Sequence, residues 1–454
     1  MKYGIIKGEN KSIIGRFLNQ TRIIVLSFLV VILIGSGLLM LPFSHNGKLS
    51  FIDAIFTATS ATCVTGLSTL TLSSELTLFG QIVTLLLVQV GGMGFMTIAS
   101  AAFIAVGKKL TMKERLYMRE YLSENDMSEL GRLALNIVKF TLAIELIGAI
   151  LLTIGFAFNY NFGTAVFYGI FHSVMAFCNA GFDVIPLNES FGAYAYNPYI
   201  LIVLSLLIIL GGLGFIVIGD VFKNKRWKKL RIDSKIVLIM SGVLLLVGTV
   251  LFMAFEWNNE STMADMNFWH KLTNAFFLSA SCRTAGFATI AVDNFMPVSR
   301  NIMIVLMFIG ASPGSTGGGI KTTTTFVLLV WIVGHLRQKK STIVGMRKVG
   351  NTVRSRTATI LVLAISVVMV ALTTILAIEG NKFSFEQLMF EIVSAYATVG
   401  LTLSVTPLLS VASKIILAIV MFMGRVGAYT LFLSATKKSS DSENIRYQEL
   451  NLMM

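Results

Sequence analysis

Four long apolar stretches punctuate the chain, at residues 23–43, 138–158, 236–256 and 358–378. A helix needs about 20 apolar residues to cross the hydrocarbon core of a bilayer, and each stretch is long enough. Each is followed by a shorter helical stretch in which polar residues interrupt the apolar ones: FIDAIFTATSA (51–61), TAVFYGIFHSVMA (164–176), FWHKLTNAFFLSAS (268–281) and FSFEQLMFEIVSA (383–395). These are too short to span. A glycine-centred segment comes next: TCVTGL (62–67), FCNAGF (177–182), CRTAGF (282–287) and YATVGL (396–401). A second apolar run then carries its own glycine pattern, GGMGF (91–95), GGLGF (211–215), GASPG (310–314) and GRVGA (424–428). The recurrence predicts an all-α polytopic membrane protein of four helix–pore-loop–helix repeats. The repeats span 23–107, 138–222, 236–335 and 358–436, between an N-terminal segment 1–22 and a tail 437–454. Four repeats give eight crossings and return the tail to the side of the N-terminus.

Composition agrees with a bilayer as solvent. The chain is 55% hydrophobic and 13% charged, with mean hydropathy +0.78; soluble proteins carry about 25% charged residues. The net charge of +14 raises the question of nucleic acid, and the placement of the charge answers against it. Of 37 Lys and Arg, 29 fall in 1–22, 106–139, 222–235, 334–356 and the tail. Basic segments between apolar runs mark the cytoplasmic side. Both termini are therefore expected in the cytoplasm of a multi-pass cell-membrane protein. The run 23–43 follows a basic leader but is too long for a signal-peptide core and lacks a small-residue cleavage site, so it is read as a helix. Three cysteines give no disulfide framework.

Backbone that is neither helix nor barrel survives at membrane depth only inside protein or along a water-filled path. Four re-entrant loops, one per repeat, are expected to converge on one pseudo-fourfold pore. Glycine allows the φ > 0 geometry that aims successive carbonyls at an axis. Carbonyl rings replace the hydration shell of a cation, and the short helices end beside the loops, with their negative dipole ends toward it. No acidic residue lies in the four loops, so a monovalent ion is favoured over a divalent one. The glycines of the second apolar runs have a plainer use, the close packing of membrane helices.

The CVTG, CNAG, RTAG and ATVG segments, the GGxGF helices and the GSTGGG loop resemble the Trk/Ktr/HKT superfamily of potassium transporters, most of all its bacterial KtrB-type membrane subunits. The resemblance runs over about 20–440. It implies one chain folded around one pore, a homodimer of such chains, and a cytoplasmic RCK-type nucleotide-binding regulatory subunit. The selectivity filter it implies comprises Thr62, Cys63, Val64, Thr65 and Gly66; Cys178, Asn179, Ala180 and Gly181; Arg283, Thr284, Ala285 and Gly286; and Ala397, Thr398, Val399 and Gly400. K+ would sit on the backbone carbonyls of Val64, Thr65, Asn179, Ala180, Thr284, Ala285, Thr398 and Val399. In this superfamily a serine at the first filter glycine goes with sodium preference. Gly66 and its three counterparts therefore favour K+, with Na+ dependence left open. No covalent cofactor is implied.

The stretch GASPGSTGGGIKTTTT (310–325) interrupts the second apolar run of repeat three. It is not a phosphate-binding loop: Ile320 separates Gly319 from Lys321, and the segment lies inside an apolar run rather than after a strand. Pro313 and the glycines break a helix here, and the hydroxyls can satisfy the freed backbone. An intramembrane gate at 310–321 is expected, built from Gly310, Ser312, Pro313, Gly314, Ser315, Thr316, Gly317, Gly318, Gly319 and Lys321; the alternative is a kink without a gating role. The superfamily places an obstructing loop at this position. Arg425 shares the register of Gly92, Gly212 and Ala311. A lone intramembrane arginine needs a partner; Arg425 is either a charge barrier below the filter or a structural residue on backbone carbonyls, with the broken loop as candidate partner. Arg283 is expected behind the filter, bracing carbonyls. Cys63, Cys178 and Cys282 lack the companions of a metal site. His172 and His270 are expected to pack or meet solvent.

The competing function is a Na+- or H+-coupled symporter with poor K+/Na+ discrimination. Asp53, Glu145, Glu386 and Glu391 are the carboxylates that could serve proton coupling. Nothing points to an enzyme: no nucleophile–base pair or cofactor motif is present. The basic segments would meet the regulatory partner or anionic membrane lipid.

Overall fold

The computed structural model describes residues 20–94, 97–98, 100–101, 130–186, 191–339, 342–345 and 347–435. Segments 1–19 and 436–454, and most of the basic segment 106–139, lie outside these. The described elements are helical apart from one short hairpin, β1 (Ile343–Val344) with β2 (Arg347–Lys348). The longer helices are α1 (Gln20–Leu39), α2 (Phe51–Thr62), α3 (Leu78–Met93), α4 (Leu130–Phe156), α5 (Phe162–Cys178), α6 (Pro198–Leu213), α7 (Phe215–Asn224) and α8 (Ile232–Glu256). They continue as α9 (Phe268–Ser281), α10 (Pro297–Phe308), α11 (Thr322–Leu336), α12 (Asn351–Glu379), α13 (Phe385–Ala397), α14 (Val411–Val426) and α15 (Ala428–Ala435).

The short helices α2, α5, α9 and α13 share one start signal. Ser50, Asn161, Asn267 and Ser384 each accept a hydrogen bond from a backbone N–H three residues on. These caps satisfy donors that the first helical turn leaves free. Ser384 and Gln387 complete a capping box. The helices after them begin the same way at Thr77, Asn197 and Ser410, and with Pro297 in α10. Two of these starts are also held by buried acids. Glu256 at the end of α8 accepts from Met296 N at 3.0 Å, and Glu379 at the end of α12 accepts from Ser410 N at 2.8 Å.

Among the described residues, four helical spans are long and apolar enough to cross a membrane: 22–39, 134–156, 232–256 and 351–382. They present apolar side chains outward, among them Leu33, Leu146, Leu246 and Val370, each more than 60% exposed. So wide an apolar surface fits hydrocarbon rather than water. The second apolar runs form no continuous long helices. The chain breaks after α3, α6 and α14 at Gly94, Gly214 and Gly427, with φ of 80°, 93° and 89°. At Gly214 the direction turns by 97° between α6 and α7. A residue with a side chain resists that backbone conformation, so the last glycine of each pattern sets the break.

The helices after the loops close a ring: α3 packs on α5, α6 on α9, α10 on α13, and α14 on α2. The packing is unusually close. A Cβ built on Gly91, Gly211 or Gly424 would overlap the carbonyl oxygen of Thr62, Phe177 or Tyr396, each at the end of a short helix. Hydrocarbon provides little hydrophobic drive between helices, so backbone approach at small residues carries the association. Gly211→Ala is therefore expected to destabilise the protein by about 1–3 kcal/mol. Gly242→Ala, whose Cβ meets nothing within 4 Å, should leave it unchanged; thermal melting in detergent compares the two.

Candidate functional site

At the centre of the ring the four glycine segments share one backbone conformation. Val64, Asn179, Thr284 and Thr398 have φ of 58°, 61°, 74° and 52°, and Gly66, Gly181, Gly286 and Gly400 have 94°, 66°, 78° and 95°. Left-handed backbone at β-branched Val64, Thr284 and Thr398 is strained. Hydrogen bonds back to the short helices hold it: Thr65 N to Ser60 O (2.8 Å), Ala180 N to Met175 O (2.8 Å), Ala285 N to Ser281 O (2.9 Å) and Val399 N to Ser394 O (2.8 Å). Each glycine faces the next segment round the ring. A Cβ on Gly66 would strike Ala180 O, on Gly181 Ala285 O, on Gly286 Val399 O, and on Gly400 Thr65 O. The contacts run from segment one through four and back to one, so no side chain fits at any of the four positions.

Behind the ring the flanking residues face elsewhere. Cys63 and Cys282 cap α2 and α9 and are buried. The Cys178 thiol lies 3.7 Å from both Gln89 Oε1 and Glu145 Oε1. Arg283 does not brace loop carbonyls through its side chain as expected: its Nη2 donates to Ser241 Oγ of α8 at 3.1 Å. A small hydroxyl residue suits this spot because it lets the long side chain run back against α8. The Asn179 carboxamide meets Thr284 Oγ1 at 3.1 Å, joining segments two and three. Ser60 and Ser394, absent from the residues singled out in the sequence, accept from the glycine N–H groups of Gly66 and Gly400, both at 3.1 Å. Serine six residues before a loop glycine is the available signal, and only these two segments carry it.

Residues 309–321 form a folded-back loop between α10 and α11, its ends joined by a bridge between Ile309 and Ile320. It lies against the ring. Gly318 N donates to Thr398 Oγ1 at 3.0 Å, a Cβ on Gly317 would strike Thr284 Oγ1, and one on Gly319 would sit 3.4 Å from the Ala397 Cα. A Cβ on Gly310 would strike Gly318 O across the loop itself. Segment two holds the other side: Ser312 N donates to Gly212 O (3.1 Å), Thr316 N to Gly211 O (3.3 Å) and Thr316 Oγ1 to Phe177 O (3.2 Å), while Phe215 N donates to Gly314 O (3.0 Å). The Pro313 carbonyl sits over Gly214, whose Cβ would be 2.7 Å away. Ser315 Oγ donates to Ser312 O at 2.6 Å, and Lys321 Nζ to Gly317 O at 2.7 Å.

Arg425 fastens the loop to the end of α3 in the first repeat. Its guanidinium donates to Thr316 O, Gly91 O and Gly92 O. A planar cation with five donors suits such convergent carbonyls. Beside the loop lies a cavity of about 240 Å³ whose lining includes Lys321, Arg356 and Arg425. The acids named in the sequence all have partners. Asp53 pairs with Lys414 at 3.0 Å and Glu386 with Arg300 at 2.9 Å. Glu145 accepts from Gln89 Nε2 at 2.8 Å, and Glu391 accepts from residues 402–406. His172 meets Asp183 at 2.9 Å, and the His270 ring packs edge-on against Tyr196.

Comparison with known proteins identifies the family. The family model described as "TrkH: Cation transport protein" matches residues 7–447. The potassium/sodium uptake protein NtpJ of Enterococcus hirae is 36% identical, over 96% of this chain and 97% of that protein. The Ktr system potassium uptake protein B of Vibrio alginolyticus is 40% identical, over 91% and 90%, and that of Bacillus subtilis 36%, over 94% and 95%. The crystal structure of the potassium transporter TrkH from Vibrio parahaemolyticus superposes with TM-score 0.73 at 21% identity, covering 95% of this chain and 86% of that one. This multi-pass membrane protein belongs to the TrkH family of cation transport proteins.

Proposed function

We propose that this protein takes up potassium across the cell membrane through the ring of glycine segments, and that residues 310–321 gate the path. The closed ring of carbonyl-to-glycine contacts carries the reading. Carbonyls at this ring can replace the hydration shell of K+, and the C-terminal ends of α2, α5, α9 and α13 add negative potential. The filter residues are Thr62–Gly66, Cys178–Gly181, Arg283–Gly286 and Ala397–Gly400. The ion rests on the carbonyls of the two residues before each glycine. Three relatives named for potassium uptake, each at least 36% identical, support the choice of ion.

The loop is the resting block. Its backbone is satisfied by segments two and four and by Arg425, so the closed state is bonded on several sides. Lys321 and Arg425 beside it raise an electrostatic barrier to a cation. Opening exchanges these bonds for others as the loop withdraws. The protein acts as a transporter and not as an enzyme, and its cargo is K+. The name of the Enterococcus relative, potassium/sodium uptake protein, favours keeping a Na+-coupled mode as the second reading. The chain works as a homodimer with a cytoplasmic RCK-type nucleotide-binding subunit on its basic face, and both termini lie on that side. Two of the relatives are named as parts of a Ktr system, which fits such a partner.

Purified protein in liposomes is expected to pass K+ without Na+ present; equal K+ and Na+ flux would remove the potassium assignment. Deleting Gly314–Gly319 should raise resting flux severalfold, and resting flux that stays at the wild-type level would end the gate proposal. Arg425→Gln separates the two roles of that residue. Faster basal flux is expected for a barrier, whereas unchanged flux with a lower melting temperature would assign Arg425 to structure alone.

A further inference from the structure

A buried contact recurs behind two of the four segments. Nine residues before the glycine, on the short helix, segment two has His172 and segment four has Glu391; two residues after it stand Asp183 and Thr402. His172 Nε2 lies 2.9 Å from Asp183 Oδ1, and Thr402 Oγ1 donates to Glu391 Oε1. The equivalent residues are Thr57 and Ser68 in segment one, and Phe277 and Ala288 in segment three. There the Ser68 hydroxyl turns to its own loop, donating to Leu70 O at 2.7 Å, and Phe277 and Ala288 have no polar side-chain atoms. Because the ring runs one to four in order, the two bonded segments face each other diagonally.

Both contacts sit in a larger clasp. Glu391 and His172 are fully buried. Beyond Thr402, the Glu391 carboxyl accepts from Leu403 N (3.2 Å), Val405 N (3.4 Å) and Thr406 Oγ1 (2.9 Å). One side chain thus ties the whole exit of segment four to the back of α13. Asp183 Oδ1 also accepts from Ile185 N at 2.8 Å, and His172 Nδ1 lies 2.8 Å from Tyr168 O. Segment two is held the same way on a smaller scale. A polar group this deep is costly to leave without its partner, so each clasp fixes one geometry.

We infer that His172–Asp183 and Glu391–Thr402 are positioning pairs that hold two diagonal filter segments at the spacing that favours K+. This rests on the filter reading given above. Ion discrimination by carbonyls depends on how far they can yield around a smaller ion. Segments clasped in this way cannot close in on Na+; segment three is held by other side chains, through Asn179 to Thr284 (3.1 Å), Arg283 to Ser241 (3.1 Å) and Thr289 to Asn274 (2.8 Å), and segment one by Ser60.

The test is the K+/Na+ flux ratio of reconstituted protein, a readout that a loss of folded protein alone does not move. Thr402→Val removes one hydroxyl and Asp183→Ala one carboxyl, and each is expected to lower the ratio several-fold, up to about tenfold, as the loss of one buried hydrogen bond allows. Thr402→Ser, which keeps the donor, should retain the wild-type ratio, and so should Ser68→Ala at the unclasped position. Wild-type ratios in both Thr402→Val and Asp183→Ala would overturn the proposal, as would an equal fall in Ser68→Ala. A wild-type protein without K+ preference would instead strike the filter reading itself.

Discussion

The fold depends on one constraint: four stretches of non-helical backbone must meet inside a bundle that has no water to satisfy them. The structure resolves this by letting each stretch complete the next. The glycine of every segment receives the carbonyl side of its neighbour, and the backbone N–H groups turn back to the short helices. That leaves carbonyl oxygens as the groups with spare capacity, which is the chemistry a dehydrated cation needs. The second glycine set serves the same end one layer out. Gly91, Gly211 and Gly424 admit the terminal carbonyls of the short helices, so the ring and the helices around it share a single close-packed backbone core.

The loop at 309–321 is a fifth such stretch, and it is placed differently. Its hydrogen bonds reach Gly211, Gly212 and Phe177 on one side and Thr398 on the other, and Arg425 ties it to Gly91 and Gly92. Each such bond contributes a net stabilisation of about 0.5–1.5 kcal/mol. A set of them amounts to a few kcal/mol, the range over which a ligand or partner can shift a two-state equilibrium through differential binding. A loop held by many modest bonds thus suits the proposed gate, firm at rest and still within reach of the proposed regulatory subunit. A packed apolar plug would make a firmer block but a poorer switch.

The sequence made much of this legible, because glycine, proline and capping residues act locally. The helical class, the four short helices and the break at 310–321 follow from apolar run lengths and from residues such as Ser50, Ser384 and Pro313. The breaks at Gly94, Gly214 and Gly427 were harder to see. GGxG reads as helix packing, and the first glycine of each pattern does pack, while the last one carries the turn. Side-chain destinations were the least legible. Arg283 reaches Ser241, 42 residues away in sequence, and Arg425 reaches Gly91 from 334 residues away. Such pairings come from the ring closing, and no local pattern encodes a contact between segment four and segment one. Glu391 shows the same limit: no local pattern encodes the four donors from 402–406 that surround it.

A single chain of four unlike segments also explains how the symmetric filter and the asymmetric gate proposed above can coexist. On that reading the ion meets backbone, which the four segments share to within the scatter of their φ angles. The surroundings meet side chains, which they do not share. Only the third segment spends its second helix on a loop, only the fourth places an arginine in the GGxG register, and only the second and fourth carry a polar clasp nine residues before the glycine. Four identical subunits would have to install every such device four times. Joining the segments covalently frees three of them from that duty. On the proposed reading, the backbone that meets the ion stays common to all four segments, while the side chains that position and control it are particular to some.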